Sequence, residues 1–207
     1  MRKLFASVSI AAISEALTAD GKCRALILSG GSNNGAWEAG LVWGLLHYGT
    51  PSDYAWDTVS GVSAGAINTG GFATWETGTE LELTEYLSDQ WANMTNKELF
   101  KIKTLNPIKM IFDENSVLDD TGAINTLNEI YSYTGGQIKR HFAVSAVDIN
   151  TGEYHAMTDK NTTFEDLAKS SMSSASIPGV FPPLPLNGFL NMDGGTVWNA
   201  NLSTAVN

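Results

Sequence analysis

Apolar residues recur along this chain with two periods, and the alternation of the two predicts the order of its elements. The block Ala25-Leu26-Ile27-Leu28 is too short for a typical helix and runs straight into Gly30-Gly31, which predicts a buried strand. Trp37, Leu41, Leu45 and Tyr48 then recur at spacings of three and four, so Ala36 to Tyr48 predicts a helix with one apolar face. A second unit of the same kind follows. Tyr54 to Ser60 reads as a strand, Gly61-Val62-Ser63-Ala64-Gly65 as a tight turn, and Ala66 to Thr74 as a helix of small residues.

Further along, amphipathic spacing predicts helices over Leu81 to Met94 and Thr121 to Tyr131. The intervening 97–119 carries no period and reads as a lid or a surface excursion. His141 to Val147 alternates, turns at Asn150-Thr151-Gly152, and predicts a hairpin with Glu153 to Met157. Phe164 to Ser171 predicts a helix capped by Thr162 or Thr163, with Glu165 and Asp166 in its first turn. Pro178, Pro182, Pro183 and Pro185 are expected to exclude regular structure until a short strand, Phe189 to Met192, that ends at Asp193-Gly194-Gly195. Strands alternating with helices indicate an α/β fold around a largely parallel sheet.

Length and charge narrow the function. With 207 residues and 43% hydrophobic content, one domain with one sizeable core is the expectation. A net charge of −10 leaves no basic surface for phosphates, so nucleic acid is excluded as a partner, and any lipid contact must be mainly apolar. The start, Met1-Arg2-Lys3 with an apolar run to Ile13 and small-residue sites by Ala19, has the order of a secretory leader over residues 1–19. A secreted or endomembrane, lysosomal-lumen location is the expectation from it, with the cytoplasm as the alternative. Glycosylation acceptor patterns at Asn93, Asn161 and Asn201 would suit such a chain. Cys23 is the only cysteine, so it forms no internal disulfide and reads as a small apolar residue opening the first strand.

Two glycine turns carry the chemistry. Gly61 to Gly65 fits the GxSxG nucleophile elbow, with the strand before and the helix after that the motif requires, and Ser63 as nucleophile. Gly30-Gly31-Ser32-Asn33-Asn34-Gly35 occupies the same position after the first strand. It lacks the second glycine of a dinucleotide fingerprint and the Walker lysine, which favours an oxyanion hole of backbone N–H groups over a phosphate cradle. A serine needs a base, and none of His47, His141 and His155 follows the last candidate acid, as a hydrolase triad of the usual order demands. A carboxylate acting directly on the serine is therefore one candidate base beside an ordinary His-dependent esterase, and Asp193, between a strand end and two glycines, is placed as catalytic groups in open α/β sheets often are. No metal or other cofactor is expected: Asp113-Glu114 and Asp119-Asp120 lack the spacing of a calcium loop.

Four blocks in order, Leu28-Ser29-Gly30-Gly31 with Gly35-Ala36 and Gly40, Gly61 to Gly65, Ser174 to Pro183, and Asp193-Gly194-Gly195, resemble the patatin-like phospholipases. The resemblance covers roughly residues 24–200 of a domain spanning 24–207. It implies a modified α/β-hydrolase fold of three layers that cleaves acyl esters of phospholipids and other lipids, with transient apolar contact to a membrane or micelle. It also implies a Ser63–Asp193 dyad without histidine and an oxyanion hole at Gly30, Gly31 and Ser32, with Gly35, Gly61, Gly65, Gly194 and Gly195 supporting the motifs. Ser32 stands where the family usually has glycine and Asn34 where it has a basic residue, and the chain ends sooner after Asp193 than most relatives, a C-terminally short domain. A catalytically weak or inert lipid-binding or storage protein on the same scaffold is the alternative those departures imply.

Overall fold

In the computed structural model, which describes residues 21–95, 101–102 and 116–206, the block Ala25–Leu28 forms strand β1. It leads through the glycine turn into helix α1 (Asn34–Tyr48). Strand β2 (Thr58–Gly61) lies parallel to β1 and leads into helix α2 (Ala64–Ala73). Helix α3 (Glu80–Asn93) packs against α1. A short antiparallel ribbon of β3 (Lys101–Ile102) and β4 (Leu118–Asp119) precedes helix α4 (Thr121–Ser132). Strand β5 (His141–Asp148) forms a hairpin with β6 (Tyr154–Thr158), then come helix α5 (Phe164–Ser174), strands β7 (Leu184–Leu186) and β8 (Phe189–Asp193), and a short helix α6 (Leu202–Val206). The expected leader and most of 97–119, including Asp113-Glu114, lie outside the described residues. No described helix is long and apolar enough to cross a membrane.

The α/β sheet runs β1-β2-β5-β8-β7, with β6 paired to β5. It is parallel through β1, β2 and β5 and antiparallel beyond. Strand β5 is the pivot. Along one edge it pairs with β6, so that Val144 faces Met157 and Ala146 faces His155. Its other edge is shared end to end, Gly61 of β2 opposite Val144 and Asp193 of β8 opposite Ala146. The tips of β2 and β8 therefore meet head to head across Ser145, which is how a serine just past β2 and an aspartate closing β8 reach one place. Val59, Phe72, Phe142, Val144, Ala146 and Leu167 form the buried centre beneath them.

Five expectations are corrected. The apolar face of α1 expected from Trp37, Leu41, Leu45 and Tyr48 is its outward face, and the helix buries Gly35, Ala39, Val42 and Leu46 instead. Those residues repeat with the same spacing on a helix apolar nearly all round, so periodicity alone could not arbitrate; the smaller set permits closer packing. The strand expected from Tyr54 begins at Thr58, because Pro51 opens a 3-10 turn over Pro51–Tyr54. Pro185 does not exclude a strand: it lies in β7, at the sheet edge, where a missing N–H costs no ladder bond. Asn201 is no accessible glycosylation acceptor, since it is buried and its amide donates to Ser145 Oγ. Cys23, likewise, is exposed ahead of β1 rather than opening it.

At the end of the sheet remote from these tips, Arg140 is buried with Glu80 at 2.8 Å, and it donates to the carbonyls of Trp56, Trp75 and Glu76. A buried guanidinium with all these acceptors is satisfied rather than stranded, and it ties α3 to the entry of β5.

Candidate functional site

Ser63 caps the N-terminus of α2 with φ 54° and ψ −121°, the sharp strand-to-helix corner that the GxSxG pattern requires. A left-handed φ is costly for a residue with a Cβ, and the corner persists because its surroundings enforce it. A Cβ on Gly61 would collide with Gly65 O, and one on Gly65 would lie 2.6 Å from Leu28 O. Both glycines are thus required by close approach of β1, β2 and α2. The Ser63 N–H donates to Ser174 Oγ at 3.0 Å, and Ser174 Oγ donates to Ser145 O at 2.5 Å, so the last residue of α5 ties the corner to the middle of β5.

Ser63 Oγ donates to Asp193 Oδ2 at 2.7 Å. The other carboxylate oxygen, Oδ1, accepts the Gly195 N–H at 2.7 Å. Asp193 is buried, and that burial pushes its pKa above the usual carboxylate value, against the opposing pull of its bonds from Ser63 and Gly195. Gly194 follows it so tightly that a Cβ would collide with Ser145 O. None of the histidines joins this pair: His155 bonds Asn191, His141 bonds Asp159, and His47 bonds the Trp43 carbonyl and faces Glu85.

The glycine loop abuts the serine, since a Cβ on Gly30 would lie 3.0 Å from Ser63 Cβ. Of the three amides expected in the oxyanion hole, that of Gly30 is already engaged, donating to the Asn199 carbonyl at 3.0 Å. The amides of Gly31 and Ser32 have no such partner among the described residues, while their carbonyls accept from Asn34 and Gly35 as the loop winds into α1. Ser32 adopts φ 52°, the left-handed conformation that favours glycine. Gly35 is packed against Trp91, which a Cβ would approach to 2.9 Å. Buried Asn68 joins these parts, donating to Gly35 O and accepting from Trp91 Nε1.

From Ser63 an apolar cavity of about 260 Å³ runs between the helices. Ser32, Asn33 and Ala36 line it from the glycine loop and α1, Ile67 from α2, and Trp91 and Met94 from the end of α3. Ala123 and Leu127 of α4, Met172 of α5, and Ala175, Ile177 and Phe181 close the remainder. Such a slot beside a serine–carboxylate pair fits a hydrocarbon chain with its reacting group at Ser63. Sequence reasoning singled out neither Ser174, Asn68, Trp91 nor Asn199. Ser174 opens one of the blocks that carry the family resemblance, whereas nothing in the local sequence marks the others as neighbours of the site.

Known proteins resemble this chain to different depths. VipD from Legionella pneumophila superposes with a TM-score of 0.51 at 15% identity, over 91% of this chain and 50% of that one, a likeness of fold alone. Patatin-like phospholipase domain-containing protein 7 of Rattus norvegicus and of Mus musculus is 28% identical over 186 residues, which is 86% of this chain but 12% of theirs. The chain thus spans a small part of the length of those curated relatives. The patatin-like phospholipase family model matches residues 26–206, nearly the whole described domain, and by that match the chain belongs to the patatin-like phospholipase family, a membership that points to lipid hydrolysis.

Proposed function

We propose that this chain is a lipid acyl hydrolase that works through a Ser63–Asp193 dyad and an acyl-enzyme intermediate. The observation that carries the reading is the 2.7 Å bond from Ser63 Oγ to Asp193 Oδ2 at the head of an apolar slot. With the acyl chain of an ester in the slot, Asp193 takes the hydroxyl proton as Ser63 Oγ attacks the carbonyl carbon. The negative charge then gathering on the carbonyl oxygen is met by the N–H groups of Gly31 and Ser32, while the α2 N-terminus that begins at Ala64 adds its dipole. The protonated Asp193 returns its proton to the leaving alkoxide. A water deprotonated by the same carboxylate attacks the acyl-serine, and the fatty acid is released as Ser63 is regenerated.

The substrate is an acyl ester of a phospholipid or another lipid. Contact with a membrane or micelle falls to apolar side chains, such as the part-exposed Ile177 at the slot, because a chain of net charge −10 is repelled by anionic surfaces. The test is labelling with an alkyl fluorophosphonate followed by peptide mass analysis. A mass increment on Ser63, lost in Ser63→Ala together with fatty-acid release from phospholipid micelles, supports the reading. An unlabelled wild type without ester cleavage would leave a lipid-binding scaffold and sink it.

A further inference from the structure

Asn199 stands on the turn that follows Asp193, and it grips the glycine loop with both its backbone and its side chain. Gly30 N–H donates to Asn199 O at 3.0 Å, and Asn199 Nδ2 donates to Gly30 O at 2.9 Å. The turn is itself wound onto the base: Val197 and Trp198 N–H donate to Gly194 O, and Thr196 Oγ1 donates to Asp193 O at 2.7 Å. Asn199 Oδ1 lies over two of the motif glycines. A Cβ on Gly30 would collide with it, and one on Gly195 would approach it to 2.7 Å. Neither glycine has a positive φ, so what both positions need is the room that Asn199 occupies, not a special backbone conformation.

Asn199 is exposed, and a surface hydrogen bond of this kind contributes little to the stability of a fold. Its effect is geometric. Gly30 immediately precedes the two amides assigned to the oxyanion hole, and Asp193 precedes the turn that carries Asn199, so one side chain joins the acceptor of the serine proton to the donors for the acyl oxygen. We propose that Asn199 is a positioning residue for acyl transfer, fixing the distance between the Asp193 turn and the Gly31 and Ser32 amides. This rests on the hydrolase reading above. It assigns Asn199 no contact with substrate, so its influence falls on the oxyanionic transition state rather than on the bound ester.

The experiment compares wild type, Asn199→Ala and Asn199→Asp in p-nitrophenyl ester turnover, in inhibition by an alkyl trifluoromethyl ketone, which forms an oxyanion on the serine, and in binding of the free fatty acid. Asn199→Asp keeps the size of the side chain and its Oδ1 but, ionised, has no N–H to give Gly30. Both variants should lose kcat by roughly tenfold to a hundredfold, with KM changed by less than about twofold, the scale of a displaced rather than deleted oxyanion donor. Trifluoromethyl ketone affinity should fall by a similar factor, while fatty-acid affinity and the melting temperature stay at wild-type values. The acid limb of the Asn199→Ala rate profile should not move, since the bonds of Asp193 to Ser63 and Gly195 are untouched. Wild-type kcat in either variant overturns the proposal, and so does a loss shared equally by fatty-acid binding and melting temperature. A wild-type protein that takes no fluorophosphonate on Ser63 overturns the hydrolase reading first, and this proposal with it.

Discussion

Ser63 Oγ and Asp193 Oδ2 lie 2.7 Å apart although 130 residues separate them in the chain. Strand β5 accounts for the meeting: β2 runs up its edge to Gly61, β8 runs down the same edge to Asp193, and Ser145 lies between the two contacts. An elbow on one tip and a carboxylate on the other face each other without an intervening imidazole. The serine proton therefore has one short path, to a carboxylate that is buried.

Burial sets the pH response. Asp193 must be ionised to accept a proton, and desolvation raises its pKa, so the acid limb of kcat/KM should lie above the ordinary carboxylate range. The sign for stability is the opposite. A carboxyl whose folded pKa exceeds its unfolded one binds its proton more tightly in the folded state. Its contribution is full below the unfolded pKa and is lost as pH rises through the folded value. Asp193→Asn should thus abolish turnover and the acid limb while melting no lower than wild type at neutral pH. A melting temperature well below wild type at pH 7, measured by calorimetry, would contradict this assignment of burial cost.

Replacing all three histidines should leave most of the activity. His47 and His141 have surface partners, and His155 stacks on Phe189 at 4.1 Å and bonds Asn191, all apart from the serine. His47→Asn, His141→Asn and His155→Gln together should retain kcat within about threefold, whereas losing a triad member typically costs roughly 10⁴-fold. Turnover of p-nitrophenyl butyrate decides between the two.

Ser32 sits at φ 52° in the glycine loop. Glycine adopts that conformation freely but has more freedom to lose on folding, so the relief is partly offset. Ser32→Gly should raise stability by about 0.5 kcal/mol and keep kcat within about threefold, because the amide it presents is unchanged. Ser32→Val should lower both, since a β-branched residue is strained at positive φ. Urea melts alongside ester turnover measure the pair.

The strand-turn-helix units were legible in the chain because glycine and serine at fixed spacing prescribe their own turns, and a buried block such as Ala25–Leu28 has few alternatives. Which face of α1 is inward was not legible, as both of its apolar stripes satisfy the helical period and only contact with the rest of the fold selects Val42 and Leu46 over Leu41 and Leu45. The engagement of the Gly30 amide by Asn199 was hidden for a related reason: the two residues are 169 positions apart, and no local propensity encodes their pairing. Pro185 in β7 shows the same override, a local breaker made harmless by a place at the sheet edge.

The depth of the apolar slot should set the acyl length the protein prefers. Ala123 of α4 is buried and lines the slot together with Leu127, Met172 and Ala175, so a larger side chain there shortens the space while leaving Ser63, Asp193 and the glycine loop untouched. Each methylene excluded forfeits ~0.8 kcal/mol of burial, so losing two lowers kcat/KM by about 15-fold. Ala123→Phe should therefore reduce dodecanoyl ester hydrolysis at least that much relative to butyryl ester hydrolysis, with butyryl kcat near wild type. Overpacking elsewhere in the core would cost about 1–3 kcal/mol, so Ala123→Val, a smaller step in the same direction, guards against a misfolded phenylalanine variant. Its effect on the dodecanoyl-to-butyryl ratio should have the same sign and a smaller size. An unchanged ratio in both variants would mean that the acyl chain lies somewhere other than this slot.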